Sequence, residues 1–422
     1  MDRVYHILEE SGADDFLVRE THTRAREAFF IGQKLDMGRA KEVTHTTVTV
    51  YVDSEDGTLR GSATKEIHPS GTEEELRQEV AQAVFAAQFA RNPWYPIAEA
   101  SSFDGPQAGN DLNEELAKIV KAMQAVRAGE NEKVNSYEIF VNQTRTHIRN
   151  SRGVDVSFSS VACELEVVVN ARKNGHEIEL YKDFRFSKKP AEEITAEVEA
   201  LFAGGRDRLN AAPTTQHEHA GLILSGDAVA EFFKYFVAHS NVANKYMGYA
   251  RGEVGTRMTG GEADPLNICL VPVLPGSTKN EPYDADGRPV IERTLYENGV
   301  LKSFWGALQY AHYLGVGDTT TLNNAVISGG SQSKEQLYAM PHLEVRDFSD
   351  FLMDPISGNF GGEIRLGYES DGTSCHPVSG GSVSGNYEQA LQHMQFSRET
   401  KQIDNFIVPK VVFLPDVSVA GN

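Results

Sequence analysis

The sequence predicts an α+β protein in which a half built from antiparallel strands and amphipathic helices precedes a β-rich C-terminal half. Three observations favour this class. Strand-like and helix-like segments come in runs, short turns join neighbouring strands, and glycine-rich loops become frequent beyond Ala212-Pro213. A doubly wound α/β fold would need strands and helices to alternate one by one, so the pattern disfavours that class.

The first 105 residues contain two predicted strands followed by a helix. Residues 44–52 and 58–67 alternate with a period of two and are rich in β-branched side chains, which favours half-buried strands joined by the turn at 53–57. Thr72 and Glu75 then form a capping-box pattern before apolar side chains that repeat on one helical face. We expect this helix to stop at Asn92-Pro93.

Residues 106–208 contain a second amphipathic helix, four strands and a third helix. The second helix carries one apolar stripe and ends at Gly129; the stripe is formed by Leu112, Leu116, Ile119, Met123 and Val126. The four strand-like segments are NSYEIFVN, THIRNS, VDVSFSSVACELEVVVNA and HEIELYKDFRF. The third helix begins at Pro190, and we expect it to stop at Gly204-Gly205.

The second half of the chain reads as a β-rich domain with few helices. Helices are predicted at 226–245 and 305–314, and a hairpin closed by Asn298-Gly299 is predicted between them. We therefore expect two domains, 1–208 and 209–422, the first of which can divide further into 1–105 and 106–208.

Composition limits the classes of function. The formal net charge of −20 opposes binding to a phosphate backbone, so nucleic acid is not an expected partner. The chain lacks an apolar run of about 18 residues and an N-terminal signal-peptide pattern, so we expect no membrane partner and a cytoplasmic location. Three widely spaced cysteines favour neither a disulfide framework nor a cysteine-rich zinc site; they are Cys163, Cys269 and Cys375.

The stretch His217-Glu218-His219 is the first candidate for metal chemistry. A helical zinc site places two histidines four residues apart with a glutamate beside the first, but the position four residues after His217 is Gly221. The spacing suits one face of a strand, and we interpret the stretch as a solvated segment before the strand GLILS. His176-Glu177 has no matching second histidine and is interpreted as a surface pair.

Cys375-His376 is the second candidate, as a nucleophile with its base. Adjacent residues of an extended chain point to opposite sides, which opposes a dyad between them. The glycine clusters lack the lysine and serine or threonine of a phosphate-binding loop, so we interpret them as tight turns.

Several segments, in the same order along most of the chain, resemble the TldD/PmbA family, whose members are also called TldD/TldE or modulators of DNA gyrase. The resembling segments are NSRGVDVSFSS, PYDADGRPVIERTLYENGVLKSFWGALQYAHYLGVGDTT, HPVSGGSVSGNYEQAL and IVPKVVFLPDVSVAG. The resemblance implies that a TldD branch is a zinc metallopeptidase with a His-Glu-x-x-x-His helix and a cysteine ligand near the C-terminus. It also implies that a PmbA/TldE branch keeps the fold, lacks the motif and pairs with TldD around a chamber for unfolded or small peptides.

This chain resembles the PmbA/TldE branch. Aligned with the motif helix, GDAVAEFFKYFVAH places Lys234 at the first histidine, Tyr235 at the glutamate and His239 at the second histidine. An ammonium has no lone pair for a metal, and a phenol is a poor base for a metal-bound water. The segment Ile403 to Lys410, where the third ligand would lie, has no cysteine. We therefore expect no catalytic residue, no metal ligand and no cofactor in this chain.

Three hypotheses follow. The preferred one is a non-catalytic subunit of a TldD-type zinc metallopeptidase, working as a heterodimer or a homodimer on peptide substrates. The second is a stand-alone peptidase that uses a metal at His217 and His219 with a distant carboxylate, or uses Cys375. The third is a modulator of gyrase or of a toxin system that acts by protein binding.

Overall fold

The N-terminal half is built on a long antiparallel sheet. The computed structural model describes residues 1–109, 111–317, 319–354 and 356–421. The strands of the first sheet are β1 (Asp15–Ile31), β2 (Lys34–Asp53), β3 (Leu59–Ile67), β4 (Arg91–Pro93), β5 (Ser101–Asp104), β6 (Glu132–Asn150), β7 (Val154–Lys173) and β8 (His176–Phe186). They are ordered β4-β3-β2-β1-β6-β7-β5 with β8 also on β7, and β5 is the strand that pairs in parallel. The predicted antiparallel arrangement is confirmed.

Four helices cover one face of this sheet. They are α1 (Asp2–Glu9), α2 (Glu73–Ala87), α3 (Leu112–Gln124) and α4 (Ala191–Leu209). Phe16 and Val18 pack beneath α1 and α2, while Ala28 and Phe30 pack beneath α3 and α4. These β1 residues all have even numbers, and alternate residues of a strand share a face, so the helices lie on the same side.

The capping box predicted at Thr72 and Glu75 is present at the start of α2. The Thr72 hydroxyl accepts from the Glu75 N–H at 3.3 Å, and the Glu75 carboxylate accepts from the Thr72 N–H at 2.7 Å, which confirms the capping box. Two predicted strands, NSYEIFVN and THIRNS, are parts of the single strand β6. Helix α1 and strand β1 were not predicted.

The predicted stop of the third helix at Gly204-Gly205 was wrong, because α4 continues to Leu209. A Cβ atom on Gly205 would lie 2.9 Å from the Cβ of Ala171 on β7. The glycine therefore allows α4 to lie close to the sheet and does not end the helix.

The C-terminal half contains two further sheets. Its strands are β9 (Ala212–Pro213), β10 (His217–Ser225), β11 (Ile268–Val271), β12 (Arg293–Glu297), β13 (Val300–Leu301), β14 (Asn324–Ile327), β15 (His342–Met353), β16 (Asn359–Ser370), β17 (Cys375–Ser379), β18 (Ser382–Asn386), β19 (Gln395–Phe396), β20 (Thr400–Ile403), β21 (Phe406–Pro409) and β22 (Val411–Ala420). One sheet is ordered β15-β10-β22-β18-β16-β17-β9, with β19 on β22, and β15 also pairs with β16. That extra pairing closes β10, β22, β18, β16 and β15 into a ring. The other sheet is ordered β13-β12-β11-β14-β21-β20.

Five helices accompany these sheets in the described residues. They are α5 (Asp227–His239), α6 (Val242–Tyr246), α7 (Leu308–Leu314), α8 (Lys334–Tyr338) and α9 (Tyr387–His393). The single helix predicted at 226–245 is two helices: the Ser240 hydroxyl donates to the Phe236 carbonyl, and the Asn241 side chain caps α6 by accepting from the Ala243 N–H. The predicted hairpin is confirmed, with Asn298 at φ 49° and Gly299 at φ 77° between β12 and β13.

The two halves touch through aromatic residues. The Tyr313 hydroxyl of α7 donates to the Pro93 carbonyl of β4 at 2.6 Å, and the rings of Phe103 and Tyr283 lie 5.1 Å apart. The sheets change between β8 and β9, but the division into domains at residue 208, inside the last turn of α4, stays a prediction. In the part of the chain that the structure describes, no helix has both the length and the apolar character needed to cross a membrane.

Candidate functional site at helix α5

Helix α5 lies in the centre of the main C-terminal core. Gly226 precedes it with a φ of 62°, and the helix then buries one broad apolar face. Phe232, Phe233 and Phe236 are fully buried, and they contact side chains from both C-terminal sheets. The family resemblance placed a metal motif on this helix, so the three aligned positions decide what chemistry it can support.

Lys234, at the position of the first motif histidine, faces solvent. Its side chain is 55% exposed, and its ammonium lies 2.6 Å from the Glu231 carboxylate one turn earlier. A protonated amine in an ion pair offers no lone pair to a metal.

Tyr235 and His239, at the other two motif positions, are buried in a stack of rings. The Tyr235 ring lies 4.0 Å from the imidazole of His239 on one side and 3.8 Å from the ring of Tyr387 on the other. Burial raises the pKa of Tyr235, so its phenol stays protonated at neutral pH and cannot serve as a base. The stacked rings of Tyr235, His239 and Tyr387 fill the space beside the helix.

His239 is a satisfied core histidine. It is 2% exposed, and its Nδ1 accepts a hydrogen bond from the backbone N–H of Arg251 at 3.2 Å. The lone pair of Nδ1 is thereby engaged within the fold, and the loop that carries Arg251 is tied to the end of α5.

Tyr387 and Arg251 were missed by the sequence reasoning. Tyr387 begins α9, stacks on Phe232 at 4.8 Å and donates its hydroxyl to the Phe232 carbonyl. Arg251 pairs with Glu388, the residue after Tyr387. The aromatic residue after Gly385-Asn386 was the available signal for Tyr387, although nothing in the sequence indicated what it would contact.

The segment that the resemblance assigned to the third metal ligand does lie near α5. Phe406 and Val408 of β21 belong to the same core cluster as Phe236, and both are buried. Between Ile403 and Lys410, however, the sequence has no cysteine. Across the described ranges, no three histidine, cysteine, aspartate or glutamate side chains are grouped so that they could hold a metal ion.

Comparison with known proteins identifies the fold and the family. Residues 217–421, from the start of β10 to the end of the described chain, match the PmbA/TldA metallopeptidase C-terminal domain. The C-terminal half of the chain belongs to the TldD/PmbA family. No curated protein sequence matches it at a significant level.

Solved structures of the same fold cover the whole molecule. TldE from Thermococcus kodakarensis aligns over 100% of both chains with a TM-score of 0.81 and 19% sequence identity. A candidate modulator of DNA gyrase from Thermotoga maritima aligns over 99% of both chains with a TM-score of 0.78 and 17% identity. Another, from Bacteroides thetaiotaomicron, aligns over 100% of this chain and 98% of its own, with a TM-score of 0.78 and 14% identity. At these identities, the likeness concerns the fold.

The alternative metal site of this TldD/PmbA domain, His217 and His219, lies at the surface of β10. The prediction of a segment before the strand was wrong, since β10 begins at His217, although both side chains are exposed as predicted. His219 Nδ1 lies 2.8 Å from the Asp416 carboxylate, and this hydrogen bond raises the pKa of His219. His219 is therefore engaged in a hydrogen bond across the strand pair β10–β22.

The same surface has a cleft of about 460 Å³, lined in part by His217, His219, His342 and His376. His342 Nδ1 lies 2.6 Å from the Met340 carbonyl, and His376 Nε2 lies 3.6 Å from the Glu369 carboxylate. Three of these four histidines interact with separate oxygens, and in the described residues none of the four belongs to a group that could hold a metal ion.

The alternative nucleophile, Cys375, is exposed at the start of β17. Although the residue is exposed, partial burial of its sulfur raises the pKa of the Cys375 thiol above its usual value, which opposes the thiolate that a nucleophile requires. The neighbouring His376 interacts with Glu369 on β16. His176 and Glu177, on the edge strand β8, are exposed, and Glu177 pairs with Arg172.

Proposed function

We propose that this chain is a non-catalytic, PmbA/TldE-like subunit that associates with a TldD-type zinc metallopeptidase and completes its peptide-binding chamber. The observation that carries the proposal is the state of the three motif positions on α5. Lys234 is ion paired, Tyr235 is stacked between two rings, and His239 is buried and hydrogen bonded. Helix α5 is well packed but lacks the full set of metal ligands and the base of the motif. It is therefore best explained as part of the scaffold.

The comparisons support the branch as well as the family. The structure from Thermococcus kodakarensis that aligns over the full chain is called TldE. Under this proposal, an extended peptide pairs through its backbone with an edge strand of the C-terminal half, which would give affinity with little dependence on the peptide's sequence. The partner subunit supplies the zinc ion and the bond cleavage.

The proposal is tested on the purified full-length chain and on its mixture with a TldD-type subunit that has an intact His-Glu-x-x-x-His motif. We expect the chain alone to bind well below one equivalent of zinc by mass spectrometry and to cleave no peptide, and we expect the mixture to form a complex and cleave peptides. One tightly bound zinc per chain, together with cleavage by the chain alone, would overturn the proposal.

Matched variants locate any metal that is found. Zinc that disappears in His239→Ala but stays in His217→Ala would indicate a site at α5, and the reverse would favour the stand-alone enzyme with a metal at β10. The exposed His393, which pairs with Glu262, provides the control variant His393→Ala.

Two structural neighbours are named as candidate modulators of DNA gyrase. Modulation of gyrase by protein binding is the third hypothesis for the present chain. The net charge of −20 is compatible with imitation of nucleic acid. Co-purification with gyrase at low salt tests this function, and failure to co-purify would count against it.

A further inference from the structure

Strand β2 has an edge without a neighbour. β1 pairs with β2 over its whole length, whereas β3 pairs with it from Thr46 to Asp53. In the described structure, no other strand pairs with β2. After a register shift opposite Phe29 and Phe30, residues 37–45 follow a regular register with β1. We call residues 37–45 the free edge of β2.

The free edge is exposed on both faces of the sheet. Every residue from Lys34 to Glu42 is exposed, including neighbours whose side chains point to opposite sides. Apolar side chains continue to the hairpin tip, where Ile31, Leu35 and Met37 are 66%, 52% and 46% exposed. A long, regular strand with unpaired backbone groups and exposed apolar side chains is a template for another strand, and proteins ordinarily cover or distort such edges.

Another long open edge in the described chain is less regular. The second half of β15 has a partner on one side, but its register with β16 shifts between Val345 and Asp347, between Asp347 and Phe348, and between Phe348 and Phe351. Such irregularities interrupt the hydrogen-bonding pattern that an added strand would need. The free edge of β2 is thus better suited to pairing than the open edge of β15.

The charges on the free edge oppose pairing with a second copy of this chain. Arg39 and Lys41 lie on the same face, since they are two residues apart in a regular strand. A two-fold antiparallel pair centred on residue 39, 40 or 41 places Arg39 opposite Arg39, Arg39 opposite Lys41, or Lys41 opposite Lys41. Like charges directly opposite each other destabilise a strand pair.

A partner strand with carboxylates opposite Arg39 and Lys41 would instead complement the charges on that face of the free edge. Glu27 of β1 already pairs with Arg39, while no described ion pair includes Lys41. On the opposite face, Gly38 and Ala40 carry no charge, and Glu42 lies 3.1 Å from His22. The cation that is left for a partner is therefore Lys41.

We propose that the free edge of β2 is a docking site for an edge strand of the TldD-type partner subunit, which presents a carboxylate opposite Lys41. This inference rests on the proposed function, because it assigns a surface to the association proposed there. The new strand extends the first sheet beyond β2 and covers Met37 and Val43.

Hydrogen exchange measured by mass spectrometry tests the backbone pairing directly. In the free chain, the amides of residues 37–45 that point away from β1 exchange rapidly because they lack partners. In the complex with the TldD-type subunit, we expect these amides to be protected, while those of β3 change little. Complex formation without protection at 37–45 would overturn the inference and leave the proposed function intact, whereas absence of any complex would count against the proposed function.

A charge-reversed variant tests the partner's chemistry. We expect Lys41→Glu to weaken association with the TldD-type subunit about fivefold, since it replaces a favourable cross-strand pair with a repulsive one. The matched control is Lys401→Glu, an exposed lysine of β20 whose reversal changes the net charge equally. Equal affinity for the two variants, or a homodimer of the chain alone that Lys41→Glu alters, would contradict the assignment of the partner.

Discussion

At the residue scale, Asp15 at the start of β1 lies at the centre of a group of paired charges, two of which are buried. Asp15 and Arg60 are 2% and 1% exposed, and their charged groups lie 2.8 Å apart. Arg152 and Ser151 also donate to the Asp15 carboxylate, at 2.6 and 2.8 Å. A buried charge is tolerated only when it is paired in this way, so the group binds the start of β1 to β3 and to the turn after β6.

The acid sensitivity of this group can be predicted from the direction of its pKa. Burial alone would raise the pKa of Asp15, but hydrogen bonds from Arg152, Ser151 and Arg60 outweigh it and hold the pKa below its usual value. The stabilisation is therefore complete above the unfolded pKa of about 4 and is lost as pH falls through the lower folded pKa. We expect Asp15→Asn to cost about 3 kcal/mol at neutral pH, and progressively less below about pH 4.

Urea unfolding of the wild type and Asp15→Asn between neutral pH and pH 3 measures this difference. Asp36→Asn, at an exposed position of β2, is the control and should show little effect at any pH. A wild-type advantage over Asp15→Asn that stays constant across the range would mean that the ionisation of Asp15 does not contribute.

The candidate site was predictable from the sequence only in part. Lys234, Tyr235 and His239 lie on one continuous helix, so their arrangement followed from helical periodicity. Their environment did not, because Tyr387 lies more than 140 residues further along the chain and reaches the stack through tertiary packing. The residue types alone showed that metal ligands of the motif are missing. Only the structure showed that stacked aromatic rings fill the space beside the helix.

At the scale of elements, the correctly predicted segments had strong local signals. The capping box at Thr72 and the turn at Asn298-Gly299 each involve groups within four residues of one another. Strand β1 was missed because its centre, RETHTRAR, is polar on both faces, and the ladders with β2 and β6 hold it in place. Pairing with distant strands is not encoded in the pattern of one segment.

The two adjacent glycines of α4 provide a test of how the helix packs. A Cβ on Gly204 would meet its nearest side chains at 3.5 Å or more, an ordinary contact, whereas a Cβ on Gly205 would meet the Cβ of Ala171 at 2.9 Å. We expect Gly204→Ala to stabilise the protein by about 0.5–1 kcal/mol through improved helix propensity. Gly205→Ala should destabilise it, because α4 must move away from β7. Denaturant unfolding of the two variants decides the matter: stabilisation by both would show that α4 ends or loosens before Gly205.

At the scale of the whole molecule, the halves are connected by a turn and a helix that both come from the C-terminal half. The turn at residues 284–288 places Gly287 against Val154 of β7, and α7 places Tyr313 against Pro93 and Tyr95. Asp284 stabilises the turn by pairing with Arg288 at 2.7 Å and accepting from the N–H groups of Asp286 and Arg288. We infer that the halves support each other's stability through this rigid contact.

Gly287 tests that coupling, with Gly315 as its matched control. Both have positive φ, 81° and 65°, but a Cβ on Gly287 would lie 2.4 Å from Val154, whereas one on Gly315 would meet nothing within 4 Å. We expect Gly315→Ala to cost about 1–2 kcal/mol from backbone strain alone. Gly287→Ala carries the same strain and also pushes the turn away from β7, so it should cost more. In scanning calorimetry, we expect only Gly287→Ala to separate the unfolding of the two halves into distinct transitions; an equal loss of stability in both variants, with one transition each, would show that the turn does not couple them.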